Sequence, residues 1–185
     1  APPDVRSIAA APNGTLFVNV HVGGVVRSHD GGETWTPTID VDADVHQVIV
    51  EPRSGVALVA AAVGHAVSAD GGDTWDVDTE GLHGTYSRAI AVAGENLLLT
   101  ASEGPFTHEA ALYRRPLASR EPFARVTRGL PEWFAHNIDS HWVAAHGEVA
   151  ALATEEGDVY RSADAGASWT RVASGLPQPH AVVVS

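Results

Sequence analysis

The segment Ser28-His29-Asp30-Gly31-Gly32-Glu33-Thr34-Trp35 returns as Ser68-Ala69-Asp70-Gly71-Gly72-Asp73-Thr74-Trp75, and again as Ser162-Ala163-Asp164-Ala165-Gly166-Ala167-Ser168-Trp169. Asp30 and Asp70 stand 40 residues apart, Asp70 and Asp164 stand 94 apart, so the second interval holds two units. A period of this length, filled with short apolar runs and turn residues, is the arithmetic of a four-stranded propeller blade. In the first unit Val5 to Ala10, Leu16 to Val20, Val25 to Ser28 and Thr34 to Thr36 read as strands. Pro-Asn-Gly, Gly-Gly and Asp-Gly-Gly separate them. The match extends beyond the motif: Asp4-Val5 aligns with Asp44-Val45, Ile8 with Val48, Pro12 with Pro52 and Gly24 with Gly64.

The long interval conceals a degenerate unit. Ser87 to Val92, Asn96 to Ala101 and Ala111 to Arg114 read as strands, with an insertion around Glu103 to Glu109. Arg115 to Glu121 stands where the motif belongs, and Phe123 stands in place of its Trp. Helical periodicity competes only at 131–137, which reads as a loop between blades. The expected architecture is all-β: a β-propeller with about four four-stranded antiparallel blades. The blades fall near 4–43, 44–84, 85–136 and 137–178 of one domain, 1–185. Pro179 to Ser185 reads as the start of a further blade, which makes the chain an arc of a larger propeller of roughly six to eight blades.

Each motif residue has a structural task. Asp30, Asp70 and Asp164 suit Asx-type bonding to backbone N–H groups across the hairpin. Gly32, Gly72 and Gly166 supply a positive φ, and Trp35, Trp75 and Trp169 are expected to bury their rings against the neighbouring sheet. Backbone bonding leaves no catalytic duty for these aspartates.

The motif is similar to the Asp-box, or BNR, repeat of sialidases and other propeller proteins. The resemblance implies the propeller and, weakly, a secreted or extracytoplasmic location. It does not imply one activity, because the repeat also occurs in xyloglucanases, sortilin-type receptors and photosystem assembly factors. A sialidase needs an arginine triad and a tyrosine nucleophile with a glutamate base. The Phe/Tyr-Arg-Ile-Pro motif that supplies one arginine is missing from this sequence, and Tyr86, beside Arg88, is the one tyrosine outside a repeated structural register. A xyloglucanase-like enzyme needs facing carboxylates; Asp4, Asp44 and Asp139 stand near the strand starts where such a pair would sit.

Composition narrows the field further. Eleven basic against 23 acidic residues give a net charge of −12, which disfavours nucleic acid and anionic membranes. All the basic residues are arginine, a composition of the kind a GC-rich bacterial genome yields. No apolar run has the length of a transmembrane helix, and Ala1-Pro2-Pro3-Asp4 lacks the pattern of a signal peptide. Cysteine and methionine are absent, so thiolate and disulfide chemistry are excluded. No cofactor motif occurs. The ten histidines show no metal-ligand spacing, His141 and His146 included, so no metal is expected. Asp40, Asp42, Asp44 and Glu51 imitate a calcium loop, but Val45 stands where glycine is required.

Propeller ligands bind over the central channel, reached from the first strand of each blade. Arg6, His46, Arg88, His141 and His180 occupy comparable positions there and form a candidate ring for an anionic group such as a carboxylate. Arg114, Arg115, Arg120, Arg125 and Arg128 make a second basic concentration, on the degenerate blade. The expectation is a non-catalytic scaffold that binds a protein or glycan, with self-association through open blade faces. The alternative is a glycoside hydrolase or a fragment of one.

Overall fold

The computed structural model describes residues 4–185; Ala1 to Pro3, read above for a leader pattern, lie outside the described residues. Sixteen strands form four separate four-stranded antiparallel sheets, and the described residues contain no helix. The first sheet comprises β1 (Val5–Ala10), β2 (Leu16–Val20), β3 (Val25–Ser28) and β4 (Thr36–Ile39). The second comprises β5 (Val45–Val50), β6 (Ala57–Ala61), β7 (Gly64–Ser68) and β8 (Asp76–Asp78). In the third, β9 (Tyr86–Ala93), β10 (Asn96–Ser102) and β11 (Ala111–Pro116) are followed by a short β12 (Ala124–Arg125). The fourth holds β13 (Val143–His146), β14 (Val149–Ala153), β15 (Val159–Ser162) and β16 (Thr170–Ala173). Strands pair in sequence order within every sheet, as tight hairpins dictate. In place of a helix, 131–137 is a loop with a single bridge, Ala110 to Phe134. Residues 179–185 form no strand; Val182 N–H donates to the His141 carbonyl at 2.8 Å.

β1 packs on β5, β5 on β9 and β9 on β13, so the first strand of each sheet is the innermost. The core is divided accordingly into three apolar clusters, each between consecutive blades. Phe17, Val48, Val59 and Ala66 join blades one and two. Leu58, Ile90, Leu99 and Phe123 join two and three, and Leu98, Leu112, Trp142 and Trp169 join three and four. Each blade therefore draws its stability from its neighbours.

The repeated motif performs the predicted backbone work. In the first hairpin Ser28 Oγ donates to Asp30 Oδ1 at 2.7 Å and accepts from Gly32 N–H at 2.9 Å, while Thr34 N–H donates to Asp30 Oδ1 at 2.9 Å. The second and third repeat this, with Thr74 N–H on Asp70 at 3.0 Å and Ser168 N–H on Asp164 at 2.9 Å. The hydroxyl and amide of Thr34 and of Thr74, with the Ser28 and Ser68 hydroxyls, hold Asp30 and Asp70 well below the usual carboxylate range. The Ser168 hydroxyl and amide, with Ser162, lower Asp164 to about 2.

The tryptophans diverge. Trp169 is buried at 4% exposure, and Trp75 meets the Phe17 ring edge-on at 6.4 Å while its indole N–H donates to Thr38 Oγ1 of the preceding blade. Trp35, expected to be buried, is 41% exposed. Its hairpin belongs to the first blade, and a motif hairpin packs backwards onto the blade before it. In the degenerate third blade Phe123 occupies the Trp position, buried against His65 and under the Arg115 guanidinium at 4.0 Å.

Candidate functional site

Three inner strands carry a β-bulge at the same place. The β1–β2 register skips Arg6, the β5–β6 register skips His46, and the β9–β10 register shifts across Arg88 and Ala89. A bulged residue turns out of the ladder, which is how the sequence brings these three side chains to equivalent positions. The residue after the bulge then ties blades together. Ser7 Oγ accepts from Val48 N–H at 2.8 Å, and Gln47 Oε1 accepts from Ile90 N–H at 3.2 Å.

The fourth blade contributes a turn instead of a bulge. In 139–142, Trp142 N–H closes on the Asp139 carbonyl at 3.0 Å, and His141 sits at φ +65°. The turn reaches over the inner strands: Ser140 Oγ lies 2.9 Å from the His46 carbonyl and 3.3 Å from that of Arg88. His141 N–H donates to Gln47 Oε1, and its ring Nε2–H donates to the Arg6 carbonyl at 2.7 Å. Blade four thus returns to blade one across the axis.

Arg6, His141 and His180 line one cleft of about 470 Å³ together with Asp4 and Asp139. Arg88 lines an adjoining cleft of about 350 Å³ with Phe106, His108, His136 and Glu155, and Asp139 and Trp142 border both. Ile49, Ile90, Val92 and Val143, with Glu51 and Arg53, line a third cleft of about 600 Å³ between the inner strands.

Two features of the candidate ring differ from expectation. His46 does not reach a cleft: its side chain is fully buried, with Nδ1 donating to the Ser87 carbonyl at 2.7 Å and Tyr86 packed 4.8 Å from its ring. Burial pushes its pKa down, against the Ser87 hydrogen bond and the nearby Asp44. The arginines, moreover, carry their own counter-ions. Arg88 Nη1 lies 3.0 Å from Asp139, and Arg6 Nε lies 3.7 Å from Asp4. The cleft is therefore one of mixed charge. Tyr86 is buried and accepts from Arg88 at 3.2 Å, and no carboxylate among the described residues hydrogen-bonds its hydroxyl as an activating base would.

The basic concentration of blade three is largely spent within the fold. Arg114 Nε–H donates to the Ala165 carbonyl at 2.9 Å, buried Arg115 pairs with Asp78, Arg120 lies 3.2 Å from Asp76, and Arg125 covers the Trp133 ring at 4.3 Å. Glu51, at the end of the imitation calcium loop, is a turn residue. Burial would raise its pKa, yet bonds from Ser54 and Arg53 lower it to about 2. Phe106 and His108 enter the cleft from the insertion around 103–109, the sequence signal that points to them, and His136 enters it from the loop 131–137, which carries no such signal.

Comparison with known proteins agrees with this fold. The BNR/Asp-box repeat model matches residues 26–37, and no curated protein matches the chain by sequence. An ancestral GH74 enzyme superposes with a TM-score of 0.69 at 19% identity, over 92% of this chain and 24% of that one. The GH74 xyloglucanase from Xanthomonas campestris gives 0.66 at 19%, over 92% and 30%. YCF48 from Cyanidioschyzon merolae gives 0.62 at 18%, over 100% and 59%, and YCF48 bound to D1 peptide gives 0.61 at 16%, over 92% and 54%. The present chain spans about a quarter to three fifths of the length of these structures. It is an all-β propeller chain of four blades, three of which bear Asp-box hairpins.

Proposed function

We propose that the chain is a binding platform that receives an exposed protein segment in the mixed-charge clefts at the inner-strand starts. One observation carries this reading: Arg6 with Asp4 and Arg88 with Asp139 present both signs side by side, bordered by His141 and His180. Such a surface complements the alternating N–H, C=O and charged groups of a peptide better than it complements a lone anion. The YCF48 structure with D1 peptide is a propeller of related shape holding a peptide, which supports the same choice.

A hydrolase fragment is the second reading, favoured by the GH74 similarity. Against it, Asp4 and Asp44 lie on either side of one imidazole, 3.4 Å and 3.6 Å from the two nitrogens of His21. They do not face each other across an open cleft as an acid and base do. A peptide array and a panel of sialosides and β-glucan oligosaccharides separate the two readings. The expected result is peptide binding that weakens at least about tenfold in Arg6→Ala and Arg88→Ala, an amount equal to about 1.4 kcal/mol, with no turnover of any glycan. Glycan turnover abolished by Asp4→Asn or Asp44→Asn would reverse the assignment.

A further inference from the structure

We infer that His21, Asp44 and His46 form a binding site for one divalent transition-metal ion of the zinc class. The three residues come from two blades. His21 follows β2, whereas Asp44 and His46 flank the start of β5, yet their donor atoms all lie within 4.8 Å of one another. His46 Nε2 is 3.2 Å and His21 Nε2 is 3.6 Å from the same atom, Asp44 Oδ1. Donors about 2.0–2.1 Å from a tetrahedral zinc ion are about 3.3 Å apart, so the two spacings to Asp44 Oδ1 are close to those of ligands sharing one ion.

The hydrogen bonding points the same way. His46 is wholly buried and gives its Nδ1–H to the Ser87 carbonyl, which can only accept. In the neutral ring this leaves the lone pair on Nε2, facing a carboxylate oxygen. Neither His46 Nε2 nor Asp44 Oδ1 has a hydrogen-bond partner, although both atoms are buried. At 3.2 Å they are close but off the line that an N–H bond would take. Two orphaned acceptors in contact are costly, and a cation between them satisfies both. His21 is placed similarly, without the hydrogen bond: its Nδ1 lies 3.4 Å from Asp4 Oδ1, while its Nε2 faces Asp44. The His46 imidazole therefore has a hydrogen-bonded outer partner on Nδ1, a carbonyl, and the His21 imidazole has a carboxylate close to its own. Metal-binding histidines are oriented in this way. Two imidazoles and one carboxylate suit zinc, nickel or copper better than calcium or magnesium. Three protein donors leave a fourth position, on the partly exposed side of His21, for water or a ligand carboxylate.

The test is calorimetric titration of the tag-free, chelator-treated chain with zinc chloride, together with the visible ligand-field spectrum after cobalt substitution. One equivalent is expected to bind with a tetrahedral cobalt spectrum and to raise the melting temperature. Affinity should fall at least about tenfold in His21→Gln and in Asp44→Asn, while His146→Gln, a surface histidine, keeps it. His21 is partly exposed, so its variant retains the fold, which circular dichroism checks. Zinc binding no tighter in the native chain than in His21→Gln would overturn the site and leave a proton as the occupant. Equal loss in His146→Gln would overturn it too, by assigning the binding to surface histidines.

Discussion

At the residue scale, the buried histidine of the second blade shows how one side chain is forced into one protonation state. His65 is enclosed between blades two and three with its Nδ1–H on the Val59 carbonyl at 3.1 Å. Burial drives its pKa from 6.5 down to about 4, assisted by the charge of Arg115 and opposed by the hydrogen bond to Val59. The unfolded chain binds this proton below pH 6.5 and the folded chain only below about 4. Stability is therefore complete above pH 6.5 and falls as the pH drops through that window, by about 3 kcal/mol for this group. Urea denaturation at stepped pH should show the slope, and His65→Gln should flatten it by close to one proton. The carboxylates of the hairpins titrate lower: Asp164, near 2, keeps its bonds until acid well below the His65 window. The two glycines of a box also separate cleanly. Gly71→Ala would place its Cβ in open space at φ +74°, costing about 1–2 kcal/mol. At Gly72→Ala the Cβ would also meet Phe17 Cε1 at 2.8 Å, so its loss in urea midpoint should exceed that of Gly71→Ala.

Among the elements, the hairpins are clasped by arginines of the preceding blade. Arg27 on β3 donates to the Gly71 carbonyl at 2.7 Å, and Arg114 on β11 donates to the carbonyl of Ala165, the same place in the third box. Both arginines stand one residue before the Ser position of their own hairpin. At that register blade two has Val67, and the blade after it is the one without a box. Arginine and box thus occur together as parts of one joint. Arg27→Met and Arg114→Met are each expected to lower stability by about 1.5–3 kcal/mol, read by urea unfolding, whereas Val67→Arg gains nothing. The basic concentration in the sequence is explained in part by this joint and by the Arg115–Asp78 pair. Its residues were legible, but their partners lie 37 to 51 positions away.

For the molecule as a whole, the three apolar cores lie between consecutive blades, and among the described residues no such cluster covers the outer faces of the first and fourth. Trp35, Val172 and Leu176 are all at least 41% exposed. These faces differ, so contact between copies would be head-to-tail, forming a ring or an open chain. Sedimentation at rising concentration should show mass above that of one chain, and Trp35→Arg should return it to one chain. A constant single-chain mass in the native protein would exclude this association.

The sequence by itself determined the blades. A period near 40, hairpin residues with fixed φ demands, and alternating apolar strands are local properties, and even the degenerate blade kept enough of them to be found. The register of Arg6, His46 and Arg88 was legible for the same reason, since repeats of equal length carry equivalent residues to equivalent places. Tertiary structure alone decided what those places are. One side chain of the three is sealed in the core and the other two are neutralised by aspartates, because burial and ion pairing depend on neighbours from other blades. The convergence of His21 with Asp44 and His46 is of the same kind: no spacing rule describes ligands that a bulge and a turn on separate sheets bring to a common point.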